Sequence, residues 1–221
     1  GSSVGIVGAT GAGKSTLVDV LLGLLPPTEG RLLVDGQDVS RDPRPWQRKI
    51  GYVPQSIYLT DDTIRANIAF GLPAAAIDEA RLRRAAEMAQ ILDYVDSLPE
   101  KFDTVVGERG IRLSGGQRQR IGIARALYDE PELLVFDEAT SSLDNETEAD
   151  ISRAIQRLAG IKTIVLIAHR FSSLHVCSTL VMMKDGRIVA EGSYARLFES
   201  CDDFRALAAQ SGRAAGPESA P

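Results

Sequence analysis

The chain has 221 residues, of which 44% are hydrophobic and 25% charged, and it carries a net charge of −5. That length supports one globular domain with a substantial core, and an acidic balance without a basic face argues against a nucleic-acid partner. Cys177 and Cys201 lack metal-ligand spacing and read as reduced thiols of a cytosolic protein; no signal-peptide pattern opens the chain, and no apolar run approaches the ~20 residues of a membrane helix.

In chain order, Val4–Val7 reads as a short buried strand running into a Gly-rich turn. Lys14 to Leu25 follows as a helix with Leu17, Val18, Val20, Leu21 and Leu22 among its apolar positions, stopped by Pro26-Pro27. Arg31–Val34 and Ile50–Val53 are strand candidates. From about Ser56 to Tyr128 the pattern turns helical, with Thr63–Phe70, Asp78–Gln90 and Gly115–Tyr128 as the predicted helices. Leu133–Phe136 is an apolar run typical of a buried parallel strand. Asn145–Leu158 is a helix with Ile151, Ala154, Ile155 and Leu158 on one face. Thr163–Ala168 is a further buried strand, and Leu180–Met183 with Arg187–Ala190 form a hairpin around Lys184-Asp185-Gly186. Short helices at Tyr194–Phe198 and Phe204–Ala209 close the fold, and Ser211–Pro221 is expected to be disordered. The alternation predicts an α/β fold with a mostly parallel sheet. Its core comprises residues 1–55 and 128–192, interrupted by a helical subdomain at 56–127 and followed by C-terminal helices at 193–210.

Two motifs point to nucleotide chemistry. Gly8-Ala9-Thr10-Gly11-Ala12-Gly13-Lys14-Ser15-Thr16 fits G-x-x-x-x-G-K-[ST], a loop whose backbone N–H groups cradle phosphates. Lys14 supplies a mobile positive charge for the β- and γ-phosphates, and Ser15 a hydroxyl for Mg²⁺. The following helix adds its positive dipole end. Farther on, Leu133-Leu134-Val135-Phe136 ends in Asp137-Glu138, at the sheet edge where ligands of open α/β folds bind. Asp137 suits the Mg²⁺ shell, and Glu138 suits a general base that polarises the attacking water.

Leu113-Ser114-Gly115-Gly116-Gln117 resembles the signature sequence of the ABC ATPases, and it lies between the two motifs, as in that family. Gln55 in Val53-Pro54-Gln55 is similar to the family's Q-loop, Ser141-Ser142-Leu143-Asp144 to its D-loop, and His169 to its switch histidine. The resemblance runs from Gly5 to Gly192. It implies a P-loop NTPase core with an inserted helical subdomain that binds and hydrolyses MgATP as the motor domain of a transporter. It further implies that Gln55 approaches Mg²⁺ and the attacking water, that His169 contacts the γ-phosphate, and that Ser114, Gly115, Gly116 and Gln117 of one copy cap the ATP held by another. Two copies would then sandwich two ATP molecules head to tail.

Thr104-Val105-Val106-Gly107-Glu108-Arg109-Gly110 resembles the loop before the signature in ABC exporters, and Asn67-Ile68-Ala69-Phe70-Gly71 is similar to a segment of bacterial flippases for lipid-linked oligosaccharides. An exporter implies a transmembrane domain, fused upstream, and a place at the cytoplasmic face of the inner membrane, with this piece itself soluble. Relatives carry about two more strands before the phosphate loop, one bearing an aromatic residue that stacks on adenine. By that comparison the N-terminal strands are truncated, adenine affinity is reduced, and the phosphate-loop strand is expected at an exposed edge.

Overall fold

The computed structural model describes residues 1–137, 145–168 and 171–214. Its strands are β1 (Ser3–Val7), a two-residue ladder of β2 (Leu33–Val34) and β3 (Gln37–Asp38), then β4 (Ile50–Val53), β5 (Leu133–Asp137), β6 (Thr163–Ile167), β7 (Thr179–Lys184) and β8 (Arg187–Gly192). Six of them form one sheet in the order β4-β5-β6-β1-β7-β8. All neighbouring pairs are parallel except β7 with β8, which is antiparallel. β1 therefore lies inside the sheet, between β6 and β7, and not at the exposed edge that the sequence suggested. Its register explains why: Val4 pairs with Val165 on one side and with Thr179 on the other.

Period-two alternation assigns each strand residue to a layer. Leu133 and Val135 of β5 pack with Val18, Leu22 and Trp46, whereas Leu134 and Phe136 pack on the opposite face with Ile121, Ile151 and Ile155. Each fully buried side chain of this size stabilises the fold by about 1.5–3 kcal/mol, so a one-residue slip of β5 would forfeit both layers.

The helices are α1 (Lys14–Leu21), α2 (Arg44–Gln47), α3 (Ile64–Ile68), α4 (Glu79–Met88), α5 (Leu92–Ser97), α6 (Gly115–Leu127), α7 (Asn145–Leu158), α8 (Tyr194–Ser200) and α9 (Asp202–Ala214). α1 and the short α2 cover one face of the sheet. α6 lies on the other face and joins the sheet to α3 and α4. The fit of α6 on β4 is close enough that a Cβ at Gly51 would come within 2.4 Å of the Ala126 carbonyl oxygen.

Several boundaries differ from the sequence reading. α1 ends at Leu21, a turn short of Leu25, because the chain reverses at Gly23. There the Gly23 N–H donates to Val20 O and the Leu24 N–H to Asp19 O, a pattern that satisfies terminal carbonyls. α2 was not foreseen. It is held where Trp46 Nε1 donates to Leu21 O at 2.7 Å and Gln47 Nε2 to Leu22 O and Gly23 O. The strand expected over Arg31–Val34 shrinks to Leu33–Val34 and turns back through Asp35-Gly36, both at positive φ. At the other end α9 continues through Ala214, so residues 211–214 are helical and not disordered. Residues 215–221 lie outside the described residues.

Candidate functional site: the phosphate loop and the acidic strand end

The phosphate loop leaves the C-terminal end of β1 and enters α1. Gly8 is pressed against β7: a Cβ there would come within 2.4 Å of the Met183 carbonyl oxygen, so no other residue fits without moving backbone. The loop is tied from the same side by the β7–β8 turn, where the Gly186 N–H donates to Ala12 O at 3.1 Å. Gly13 is the N-cap of α1 and has a left-handed backbone at φ 95°, a conformation that costs an ordinary residue about 1–2 kcal/mol. Having no side chain, it also offers the helix no cap. Ordinary helix starts use Ser, Thr, Asp or Asn to satisfy their first N–H groups. Here that task is left to a ligand, and the dipole at this end favours an anion.

Lys14 is 6% exposed, and its ammonium donates to Gly8 O at 2.8 Å and Ala9 O at 3.1 Å. The cation is thus held over the cradle by the loop's own carbonyls. Ser15 and Thr16 are exposed in the first turn of α1, and Ala9, Thr10 and Gly11 are exposed along the rim. A cavity of about 260 Å³ adjoins Ala9–Ala12, walled by Met183, Lys184 and α9. That wall is fixed by the Lys184–Asp203 ion pair at 2.9 Å.

Asp137 is half-buried as the last residue of β5. It shares the parity of Leu133 and Val135, which places it on the α1 side of the sheet. The Tyr52 hydroxyl donates to Asp137 Oδ2 at 3.1 Å. Burial first, then the charge and hydrogen bond of Asp137, push the Tyr52 phenol up to about 12, so it remains a donor at neutral pH. Sequence reasoning missed Tyr52. The signal was present in the alternation of Ile50-Gly51-Tyr52-Val53, which sets Tyr52 on the face of Ile50. Gln55 is exposed, two residues beyond the end of β4. Glu138, the segment Ser141–Asp144 and His169 lie outside the described residues.

The signature forms a second helix start of a different kind. Ser114 is the N-cap of α6, and its hydroxyl accepts from the Gln117 N–H while Gln117 Oε1 accepts from the Ser114 N–H at 2.8 Å. This reciprocal capping box accounts for Ser114 and Gln117 together. The box satisfies two backbone donors, those of Ser114 and Gln117, which leaves Gly115 and Gly116 as the positions whose N–H groups meet neither box side chain. Ser114 itself is exposed, whereas Gly116 is buried.

The donor set suits Mg²⁺ of the kind that accompanies nucleotides. Among the described residues no group of three or more His, Cys, Asp or Glu forms a cage. One carboxylate and one hydroxyl beside a phosphate cradle match a small cation that takes its remaining ligands from phosphates and water.

A phosphate cradle at the end of a central parallel strand, with an acidic strand end on the same face, defines a P-loop nucleotide-binding protein. The sequence profile of the ABC transporter family matches residues 1–141. The chain is 46% identical over 200 residues to the heterocyst differentiation ATP-binding protein HepA of a Nostoc species, covering 90% of this chain and 33% of that protein. It is 42% identical over 199 residues to an ATP-dependent lipid A-core flippase of Cupriavidus metallidurans, covering 89% of this chain and 34% of the flippase. A solved structure of a bacterial Atm1-family ABC exporter with ATP bound superposes with a TM-score of 0.84 at 41% identity, over 97% of this chain and 37% of the exporter. The chain belongs to the ABC transporter family and is its ATP-binding domain, a class of ATPase. It spans about a third of the length of the curated relatives it matches, and no helix among the described residues is long and apolar enough to cross a membrane.

Proposed function

We propose that this domain hydrolyses MgATP to drive a membrane exporter, with a transmembrane domain fused upstream and the domain at the cytoplasmic face of the inner membrane. The observation that carries the reading is the uncapped α1 start beneath a cradle whose lysine is already in place. The backbone from Gly8 to Thr16 binds the phosphates, and Lys14 neutralises charge on the β- and γ-phosphates. Mg²⁺ supplies further charge neutralisation there when bound, with Ser15, Gln55 and Asp137 as the residues that would hold it. Glu138 takes a proton from the attacking water as its oxygen bonds to the γ-phosphorus. The bond to the β–γ bridging oxygen breaks, and ADP and phosphate leave. His169 contacts the γ-phosphate.

Ser114, Gly115, Gly116 and Gln117 of a second copy close the same ATP from the opposite side, so that two copies enclose two nucleotides. Support comes from the placement of the signature at the start of α6, a helix anchored on β4, α3 and α4, while the phosphate loop is anchored on β7. Each surface thereby carries half of an ATP site.

The test combines phosphate release with light scattering for the Glu138→Gln variant. We expect ATP binding to persist, turnover to fall at least about 100-fold, and a monomer-to-dimer shift to occur only with MgATP. Turnover near the wild-type rate would remove Glu138 as the base, and a folded protein that stays monomeric with MgATP would refute the two-copy site.

A further inference from the structure

We infer that Tyr52 is a positioning residue for the Mg²⁺-nucleotide site, because its hydroxyl fixes which way the Asp137 carboxylate faces. The inference rests on the proposed role of Asp137 as a Mg²⁺ ligand.

The register makes the contact a consequence of the sheet. Tyr52 is paired with Val135 across the parallel β4–β5 ladder. The next residue of β5 on the same face is Asp137, a diagonal neighbour that long side chains reach. Ile50, two residues before Tyr52, packs with the α1-side core, and so does Val135, two before Asp137. Both polar tips therefore emerge on the side of the sheet that carries α1 and Ser15.

A carboxylate at a strand end can turn about its χ angles, and a metal shell requires one orientation. The 3.1 Å bond from Tyr52 Oη engages Oδ2. Oδ1 is then the oxygen left to face the cation shell. Partners that orient a ligating carboxylate in this way commonly change metal affinity 10- to 100-fold when removed. Tyr52 is 38% exposed on an edge strand, so its ring contributes little to the core and its hydroxyl can be deleted without disturbing the packing.

The experiment measures binding of a non-hydrolysable ATP analogue by calorimetry to the full chain, once with Mg²⁺ and once with EDTA. The wild type, Tyr52→Phe and Asp137→Asn are compared, with the Mg²⁺ concentration for half-maximal turnover as a second readout for the wild type and Tyr52→Phe. For Tyr52→Phe we expect Mg²⁺-analogue affinity to fall about tenfold, unchanged affinity in EDTA, and a shift of the half-maximal Mg²⁺ concentration upward by a similar factor. Equal losses with and without Mg²⁺ would mean a structural role and overturn the inference, as would wild-type affinity in both. Asp137→Asn separates the two layers of the argument. If it retains the full Mg²⁺-dependent gain in affinity, the metal role of Asp137 fails. If it loses that gain while Tyr52→Phe keeps it, the Tyr52 inference alone fails.

Discussion

Two helix starts in this molecule carry the residues that the sequence marks for phosphate, and they are built in opposite ways. α1 begins at Gly13, which cannot cap, and its N-terminal donors open onto the cradle under Lys14. α6 begins at Ser114, whose side chain caps the Gln117 N–H while Gln117 caps that of Ser114. The dipole argument is the same for both, so dipole alone does not distinguish a binding site from an ordinary helix end. What differs is whether the chain has already satisfied its own N–H groups. α1 is left incomplete without a ligand. α6 is stable on its own and offers only the residual field and the Gly115 and Gly116 amides. That suits the proposed role of a surface that closes on a nucleotide held by a second copy.

The contrast can be broken most severely at Lys14. In Lys14→Ala the cradle loses its cation and the Gly8 and Ala9 carbonyls lose their donor. We expect turnover to drop about 100-fold or more in a phosphate-release assay. A variant that keeps a tenth of wild-type turnover would show that the backbone alone carries the site. Ser114→Asp sharpens the comparison from the other side. Aspartate caps as well as serine and is favoured by the dipole, so the melting temperature should hold. A negative charge facing a phosphate should lower turnover about tenfold or more. Turnover that follows stability alone would reduce the signature to a helix cap.

The smallest effect is expected at a third helix start. Asp78 caps α4 by accepting from the Ala80 and Arg81 N–H groups. Those backbone bonds, led by that of Arg81, lower its pKa. A depressed folded-state value gives stability that is present above the unfolded carboxylate range and lost as pH falls through the folded one. Asp78→Asn keeps an acceptor but cannot titrate. Its melting temperature should lie slightly below wild type at neutral pH, and the gap should close as pH falls below the ordinary aspartate range. A gap that persists in acid would assign the difference to packing rather than charge.

What the sequence revealed follows from where local pattern and tertiary demand agree. α7 was read correctly as a helix over Asn145–Leu158 because its apolar face repeats at the helical period and buries Ile151 and Ile155 fully. The phosphate loop was legible because its glycines answer to a fixed backbone geometry. α1 was overextended because Leu24 and Leu25 continue the apolar run, although both are exposed and Gly23 had already ended the helix. α2 and α5 are too short to show a period, and α2 owes its place to two side chains that cap another helix. The first turn of α6 was read only through its resemblance to the signature, whereas the local structure turns on Ser114 and Gln117, three residues apart. Tyr52 escaped notice because its importance lies in a partner 85 positions away. The end of α9 was hidden by composition: Ser211-Gly212 looks like a tail, yet the helix is anchored upstream by fully buried Phe204 and the Asp203–Lys184 pair.

The position of β1 also bears on how the chain is made. The strand that carries the phosphate loop is synthesised before either of its neighbours, residues 164–167 and 179–182, and the turn that ties Ala12 comes later still, at Gly186. Sheet pairings of such long range form slowly, since the intervening loop must close before any contact rewards it. During synthesis the helical segment from Ile64 to Leu127 is complete while β1 still waits for both partners. Within this domain the nucleotide cradle is thus encoded early and assembled late, so a chain whose synthesis has not passed Gly186 lacks the contacts that hold the cradle in shape.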